Sequence, residues 1–188
     1  MGGKAIIFSA PSGSGKTTIV SNLIEQLPTL KFSVSATTRI KRPNEVDAKD
    51  YYFLSVEQFK EKVSKEEFLE WEEVYENIYY GTLKEEVERI WSEDNTVIFD
   101  VDVQGGVKLK EKLGQQALSI FVRVPNLEVL EERLKSRSTE NEDSLEMRIQ
   151  KASKEMLEER KFDCVVINEV LENAVSDAFQ LVRDFIEK

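Results

Sequence analysis

The chain has 188 residues, of which 40% are hydrophobic, and this length suits one folded domain rather than two. Acidic residues number 36 against 26 basic residues, and the net charge of -10 disfavours a broad, sequence-independent grip on DNA or RNA. The absence of histidine excludes Ser-His-Asp triads, Cys-His nucleophile pairs and the usual histidine-bearing zinc sites.

Two further features of the sequence indicate where in the cell the protein is located. The single cysteine, Cys164, permits no internal disulfide, and its apolar run 164–167 is typical of a small buried hydrophobic residue in a reducing environment. The first apolar run, 5–8, is far shorter than the roughly 18 residues that a membrane-spanning helix needs. We therefore expect a cytoplasmic protein without a membrane partner.

Short apolar runs without polar alternation predict strands that are buried on both faces of a sheet. These runs span 5–8, 97–101, 118–124 and 164–167. A helical spacing of apolar residues follows each run; the first such helix ends at Pro28 and the last begins near Leu171. Strands that alternate with helices predict an α/β fold of three layers, in which a mainly parallel sheet is covered on both faces.

Residues 33–82 interrupt this alternation and predict an inserted lobe of mixed α and β structure. The lobe is expected to contain short strand-like pieces at 32–36, 51–54 and 78–80 and a helix near 56–63. The acidic stretches 61–73 and 85–94 are predicted to be helices that face solvent or a second subunit, with solvent favoured.

Residues 127–160 predict a pair of amphipathic helices. Leu127, Leu130 and Leu134 mark the apolar face of the first helix. The second helix carries apolar residues at 145, 149, 152 and 156.

The segment Ala10–Thr17, with the sequence APSGSGKT, directly follows the first apolar run and opens the first helix. This context predicts a phosphate-binding P-loop, in which backbone N–H groups and the helix N-terminus surround phosphate oxygens. Lys16 would pair with the outer phosphates and the Thr17 hydroxyl would bind Mg²⁺. Ala10 stands where the pattern has glycine, a slight change unless that position needs a positive φ. The alternative, a βα turn that binds nothing, is disfavoured by the strand before and the helix after.

A cluster of basic residues between 31 and 42 contains no acid and predicts a second anion site. Its members are Lys31, Arg39, Lys41 and Arg42. Tyr51 and Tyr80 add hydroxyl groups from the same lobe. The alternative is a solvated turn before Pro43.

Asp100 ends an apolar run, a pattern that places a carboxylate beside a P-loop to hold magnesium or its water shell. Asp102 points the same way if the strand continues. The alternative for Asp102 is that it has already left the sheet toward the inserted lobe. The alternative is that Asp100 caps the helix that begins near Val103.

Three arginines in the helical pair could fold over a phosphate chain. Arg133 and Arg137 lie four residues apart on one helix face, and Arg148 lies on the next helix. The alternative is that they form ordinary surface salt bridges with neighbouring glutamates.

Several sequence blocks, in consistent order from about 5 to 186, resemble the guanylate kinase family. They are SAPSGSGKTT, FSVSATTRIKRP, KDYYFLS, EEFLEWEE, YYGT, IFDVDVQGG, ERLKSRSTENEDS and DCVVIN. The resemblance implies a P-loop kinase fold in a single domain, 1–188. Its parts would be a core (1–32, 83–126 and 161–188), a GMP-binding lobe (33–82) and a lid (127–160). Ala10 and the pair Ile40-Lys41, where the family often has proline, depart from the family pattern.

The resemblance also implies the reaction, which is ATP-dependent phosphorylation of GMP to GDP in purine nucleotide metabolism. Its partners would be ATP with Mg²⁺, GMP and its deoxy form dGMP, with no nucleic acid, and the chain would be a monomer or a weak homodimer. Residues around guanine would be Ser35, Glu70, Thr82 and Asp102, and those around the GMP phosphate Arg39, Arg42, Tyr51 and Tyr80. The ATP site would include Ser12, Gly13, Ser14, Gly15, Lys16, Thr17, Thr18 and Asn168, with Thr17 and Asp100 near the metal. The catalytic set would be Lys16, Arg39, Arg133, Arg137 and Arg148.

Physical chemistry is consistent with these implied roles. A single carboxylate such as Glu70 can accept from both N1–H and the exocyclic amine of guanine, a donor pair that adenine lacks. Phosphoryl transfer needs mainly alignment and charge neutralisation, and the dianionic GMP phosphate needs no general base. Closure of the lobe and lid would keep water from attacking ATP. Two rival hypotheses remain, a peptide-binding module with a decayed ATP site and a P-loop kinase for another acceptor.

Overall fold

The computed structural model describes residues 3–137 and 142–188. Its first half contains β1 (Ala5–Ser9), α1 (Lys16–Gln26), β2 (Leu30–Phe32), β3 (Ala36–Thr37), β4 (Tyr52–Phe53), α2 (Val56–Ser64), β5 (Phe68–Tyr75), β6 (Ile78–Leu83) and α3 (Lys84–Ser92). Its second half contains β7 (Thr96–Val101), α4 (Val103–Leu113), β8 (Ala117–Arg123), α5 (Leu127–Arg137), α6 (Glu142–Met156), β9 (Cys164–Ile167) and α7 (Leu171–Glu187). The four predicted apolar strands are confirmed as β1, β7, β8 and β9.

Within the described ranges, the central sheet has five strands in the order β2-β7-β1-β8-β9, and every neighbouring pair is parallel. Alternate residues of β1 point to opposite faces. Ile6 and Phe8 pack in a cluster with residues of α1 and α7. Ala5 and Ile7 pack in another cluster with residues of α3 and α4. The predicted three-layer α/β core is therefore confirmed.

The prediction that β9 is buried on both faces is wrong. Val166 is buried against the cluster that includes α7, but Val165 and Ile167 are 42% and 45% exposed. Cys164, expected to be buried, is only partly buried. The side chains of Val165 and Ile167 are exposed because β9 is at the edge of the described sheet and only one of its faces packs against that cluster.

A second sheet, in the part of the chain that the structure covers, has the order β4-β3-β6-β5, and β5 and β6 form an antiparallel hairpin. The predicted helix near 56–63 is confirmed as α2. Phe59 of this helix stacks on Phe68 and Tyr79 of the hairpin, with ring centroids 4.3 and 5.2 Å apart. Aromatic burial therefore joins α2 to this sheet.

The sequence-based boundaries in this region need two corrections. The strand-like piece predicted at 32–36 is two strands, since β2 belongs to the central sheet and β3 to the second sheet. The helix predicted over 61–73 is also wrong, because α2 ends at Ser64 and β5 follows. Glu66 has a φ of 55°, which marks a turn between the two elements. The acidic residues of β5 hid an alternation of buried and exposed positions that is typical of a strand.

The helix predicted at 85–94 is confirmed as α3, but it does not simply face solvent. Val87 and Ile90 are buried against the central sheet. The acidic residues of its other face remain exposed, as at Glu85 and Glu88. This helix is therefore a part of the core with a charged outer surface.

The pair of helices predicted from 127 onward is confirmed as α5 and α6. They pack on each other through Leu130, Leu134 and Ala152. Across residues 3–137 and 142–188, no helix is long and apolar enough to cross a membrane.

Candidate active site

The loop between β1 and α1 forms a turn that glycine makes possible. Gly13 and Gly15 have φ values of 89° and 87°, which residues with a side chain adopt only with strain. Ser14 N donates to Pro11 O at 3.2 Å, which closes the turn. Residues 10–18 line a cavity of about 890 Å³.

Ser14 gives a direct test of whether this loop fits a phosphate chain. Its side chain is 1% exposed, and among the described residues its hydroxyl oxygen has no hydrogen-bond partner. A buried hydroxyl without a partner is destabilising unless a ligand supplies one. Together with the N-terminus of α1, this group suits the oxygens of an anionic ligand.

Lys16 and Thr17, the first two residues of α1, both contact Asp100 of β7. The Lys16 ammonium pairs with the Asp100 carboxylate and also donates to Val101 O at 2.8 Å. Thr17 Oγ1 donates to Asp100 Oδ2 at 2.8 Å. A hydroxyl and a carboxylate are the hard oxygen ligands that Mg²⁺ prefers, so this pair fits the metal.

The structure separates the two aspartates at the end of β7. Asp102 caps α4, and its Oδ1 accepts from Gly105 N at 2.8 Å. The alternative in which Asp100 caps this helix is therefore wrong.

Burial lowers the pKa of Lys16 to about 7, while the carboxylates of Asp102 and Glu155 act in the opposite direction. A nearby anion favours the charged form of an amine. Phosphate groups beside Lys16 would therefore restore its full positive charge.

Glu70 lies in the wall of the same cavity, on β5. The pairing of β5 with β6 places Glu70 opposite Thr82, whose Oγ1 donates to Glu70 Oε1 at 2.8 Å. The Glu70 side chain is 7% exposed. Burial raises its pKa to about 7, the Thr82 hydrogen bond lowers it, and Asp102 raises it further. Ser35 and Asp102 also line this cavity.

Tyr51 and Tyr80 line another part of the cavity. Arg39 contacts both tyrosines but is not itself among the lining residues. Arg39 Nε donates to Tyr80 Oη at 3.2 Å, and the guanidinium lies 5.4 Å from the centre of the Tyr51 ring. The Tyr51 and Tyr80 rings are 5.9 Å apart. The fourth residue expected here, Arg42, has an exposed side chain. The basic cluster is therefore only partly a solvated turn.

Glu45 is a residue of this region that sequence reasoning missed. The two terminal nitrogens of Arg39 donate to its carboxylate at 3.1 and 2.7 Å, and Arg42 N donates to it at 2.8 Å. The sequence feature that could have pointed to Glu45 is its spacing, since it is an acid six residues after Arg39 and three after Arg42.

The helical pair reaches the P-loop through its arginines. Arg148 Nη2 donates to Ser12 Oγ at 3.0 Å. Arg133 donates to Ser14 O at 3.4 Å and to Asn168 O at 3.0 Å. Arg137 ends α5, and its side chain lies outside the part of the chain that the structure describes. Surface salt bridges alone therefore do not account for Arg133 and Arg148.

A smaller cavity of about 390 Å³ also borders the P-loop. Its lining includes Thr18, Arg133 and Asn168. Asn168 is 4% exposed, and its Nδ2 donates to Ser14 O at 2.7 Å. Lys151 and Glu155 of α6, which no motif in the sequence pointed to, line the larger cavity.

Comparison with known proteins covers the whole chain. The guanylate kinase family model matches residues 2–187. The guanylate kinase of Bacteroides thetaiotaomicron is 46% identical over 188 residues, which cover 100% of this chain and 92% of that protein. The guanylate kinase of Porphyromonas gingivalis is 44% identical over 186 residues, which cover 98% and 99%.

A solved structure extends the likeness to the fold. The crystal structure of guanylate kinase from Anaplasma phagocytophilum matches with a TM-score of 0.79 at 27% identity, covering 99% of this chain and 87% of that one. Both the sequence and the arrangement of the P-loop kinase core thus point the same way, and the chain belongs to the guanylate kinase family.

Proposed function

We propose that three groups of residues around the large cavity act together in one phosphoryl transfer. The reaction is that of the family, in which ATP phosphorylates GMP to give ADP and GDP. ATP is the phosphoryl donor and Mg²⁺ the cofactor. The observation that carries the proposal is that the P-loop, Glu70, Tyr51 and Tyr80 line one cavity of about 890 Å³.

The P-loop and the smaller cavity form the proposed donor site. Residues 12–18 would hold the ATP phosphates, with Lys16 on the outer ones and the adenine near Asn168. Thr17 and Asp100 would hold Mg²⁺, which neutralises phosphate charge when it is bound. The buried Ser14 hydroxyl supports this assignment, because a phosphate oxygen would give it a partner.

Glu70 is the centre of the proposed guanine site, with Ser35, Thr82 and Asp102 around it. The Thr82 hydroxyl occupies Glu70 Oε1. Carboxylate oxygens have further lone pairs, so Glu70 can still accept from the two neighbouring donors of guanine. Adenine would leave this buried carboxylate without those donors, which supports discrimination against AMP.

Arg39, Arg42, Tyr51 and Tyr80 form the proposed GMP phosphate site. The negative charge of the transferred phosphoryl group would be neutralised by three arginines of the helical pair, Arg133, Arg137 and Arg148. The GMP phosphate is itself the nucleophile, and its charge makes a protein base unnecessary. The protein therefore contributes alignment and positive charge rather than proton transfer.

We further propose that 33–82 acts as a GMP-binding lobe and 127–160 as a lid, which close on the core (1–32, 83–126 and 161–188). Closure would exclude water from the transfer. We also propose that the chain acts as a monomer or a weak homodimer. A cytoplasmic location would suit an enzyme whose substrates are ATP and GMP.

A coupled assay of ADP release tests the proposed roles. We expect release to require an acceptor, with GMP far better than AMP, CMP or UMP, and dGMP also active. Glu70→Ala should lower kcat/KM for GMP by at least about a hundredfold because the guanine donors lose their acceptor. Glu73→Ala, at an exposed glutamate of the same strand, is the matched control and should retain activity.

The rival hypotheses have different outcomes in the same assay. A peptide-binding module without catalysis would release no ADP in response to any acceptor. A kinase for another nucleotide would prefer AMP, CMP or UMP. A Glu70→Ala variant that still strongly prefers GMP would refute the proposed role of Glu70.

A further inference from the structure

We propose that Glu45 is a positioning residue for the phosphate of GMP, because it holds the Arg39 guanidinium and the Arg42 main chain in one arrangement. The inference rests on the proposed role of Arg39 in binding that phosphate. Glu45 would not touch the reacting atoms, and it would act through the two arginines.

The contact between Glu45 and Arg39 is a two-pronged ion pair. Arg39 Nη1 donates to Glu45 Oε2 at 3.1 Å, and Arg39 Nη2 donates to Glu45 Oε1 at 2.7 Å. Their side chains are only 17% and 15% exposed. Parallel hydrogen bonds of this kind fix the plane of a guanidinium as well as its distance. This geometry distinguishes the pair from a mobile surface ion pair.

The remaining contacts of Arg39 hold the same orientation. Its Nε donates to Tyr80 Oη at 3.2 Å, and its Nη1 also donates to Ile40 O at 2.8 Å. The guanidinium lies 5.4 and 5.8 Å from the ring centres of Tyr51 and Phe53. A guanidinium has five N–H donors, and these contacts with the two to Glu45 use four. One N–H on Nη2 is left to reach a phosphate oxygen.

Glu45 also links Arg39 to Arg42 through the backbone. Arg42 N donates to Glu45 Oε2 at 2.8 Å, and Glu45 N donates to Arg42 O at 3.1 Å. These two bonds close the turn 42–45 on the carboxylate that holds Arg39. One side chain therefore links the Arg39 guanidinium to the main chain of Arg42.

A carboxylate near a phosphate site could instead repel the ligand or compete with it for Arg39. Arg39 and the Arg42 N–H lower the pKa of Glu45, so this carboxylate remains charged at neutral pH. We favour positioning because a long arginine side chain that is already ordered loses less rotamer entropy when a phosphate binds. A phosphate also need not displace Glu45, because Arg39 keeps one further N–H donor for it and the Arg42 N–H continues to hold the Glu45 carboxylate. The two hypotheses predict opposite changes in GMP affinity.

Calorimetric binding of GMP and of guanosine to Glu45→Ala tests the sign. We expect GMP to bind about ten- to a hundredfold more weakly, while guanosine, which has no phosphate, binds as it does to the unmodified protein. In steady-state assays the KM for GMP should rise while the KM for ATP stays the same. Glu45→Gln keeps one carbonyl acceptor and should lie between the two proteins.

Asp47→Ala is the matched control in the same loop. Its carboxylate accepts from Phe53 N at 2.9 Å and so supports the loop through a backbone contact. We expect a smaller effect on GMP binding than that of Glu45→Ala. Circular dichroism of both Glu45 variants verifies folding, and the Gln variant maintains the test if the Ala variant unfolds.

A double-mutant cycle tests whether Glu45 acts through Arg39. In an Arg39→Ala background, Glu45→Ala should lose most of its effect on GMP affinity. Equal or tighter GMP binding to Glu45→Ala, equal weakening of guanosine, or additive effects in the cycle would each overturn the inference. If Arg39→Ala alone leaves GMP affinity unchanged, the proposed phosphate site itself is wrong, and the inference falls with it.

Discussion

Glutamates of one strand have different chemistry because the strand alternates between two environments. On β5, Glu70 is 7% exposed and hydrogen-bonded to Thr82, whereas Glu73 is exposed. Burial is the largest cause that raises the pKa of Glu70 to about 7, so its charged form is less favoured here than in a glutamate exposed to water. A carboxylate in this condition gains most from a ligand with two adjacent N–H donors.

Glu70→Gln should therefore change how stability depends on pH. Glu70 has a folded-state pKa of about 7, above its ordinary value of 4.5, so its ionisation destabilises the fold as pH rises through 7. Glutamine does not ionise. Relative to the variant, the unmodified protein should lose about 2 to 3 kcal/mol of unfolding free energy between pH 5 and pH 8.

Urea unfolding of both proteins across that pH range measures this difference. Its change with pH is diagnostic, because groups such as Lys16 titrate alike in both proteins and cancel. A difference that stays constant from pH 5 to pH 8 would show that Glu70 keeps an ordinary pKa in the folded state.

At the scale of elements, the start of α4 is fitted closely to the strand that carries the P-loop. A Cβ at Gly106 would overlap Ser9 Oγ at the end of β1 and come within 3.1 Å of the Phe162 ring. Ser9 Oγ donates to Asp102 O at 3.1 Å, just before the helix. Glycine is needed at 106 for this close approach, although alanine has the better helix propensity.

Gly106→Ala should destabilise the fold by about 1–3 kcal/mol, because the added methyl group forces α4 away from β1. Chemical denaturation checks this expectation. Gln104→Ala, at an exposed position of the same turn, should have little effect. Adding Ser9→Ala to the Gly106 variant removes the overlapping oxygen and should restore part of the stability. An unchanged midpoint for Gly106→Ala would contradict the close packing of these elements.

At the scale of the whole molecule, the second sheet joins the central sheet through short connections beside α3. Glu86 of α3 is 3% exposed. It accepts from Val34 N at 3.4 Å and from Tyr52 Oη at 3.1 Å. Val34 lies in the connection between β2 and β3, and Tyr52 lies in β4, so Glu86 holds both the connection and one edge of the second sheet against α3. If the second sheet moves, we expect the part held by Glu86 to stay fixed while the rest rotates, as in hinge closure around ligands.

Small-angle scattering tests the proposed closure. We expect the radius of gyration to fall when GMP and a non-hydrolysable ATP analogue bind together, because charges of both ligands draw the proposed lobe and lid inward. Each ligand alone should produce a smaller change, and AMP in place of GMP should remove the effect of the acceptor. No compaction with both ligands would contradict closure.

The features that sequence alone determined are those written in neighbouring residues. The P-loop needs a strand, glycines at fixed positions and a helix start, and all of these lie within residues 5–17. Apolar runs and helical spacing likewise predicted the parallel core. In the second sheet the local signal predicted strands at β4 and β6 but failed at β5, because the acidic composition of β5 masked its alternation of buried and exposed residues.

Contacts between residues far apart in the chain were decided only by the tertiary structure. Glu70 is buried because β6 places Thr82 beside it, and Val165 is exposed because β9 ends the sheet. Glu45 contacts Arg39 because the loop between them folds back and brings the two side chains together. Burial and pairing depend on which elements become neighbours, and local residue patterns carry little information about that arrangement.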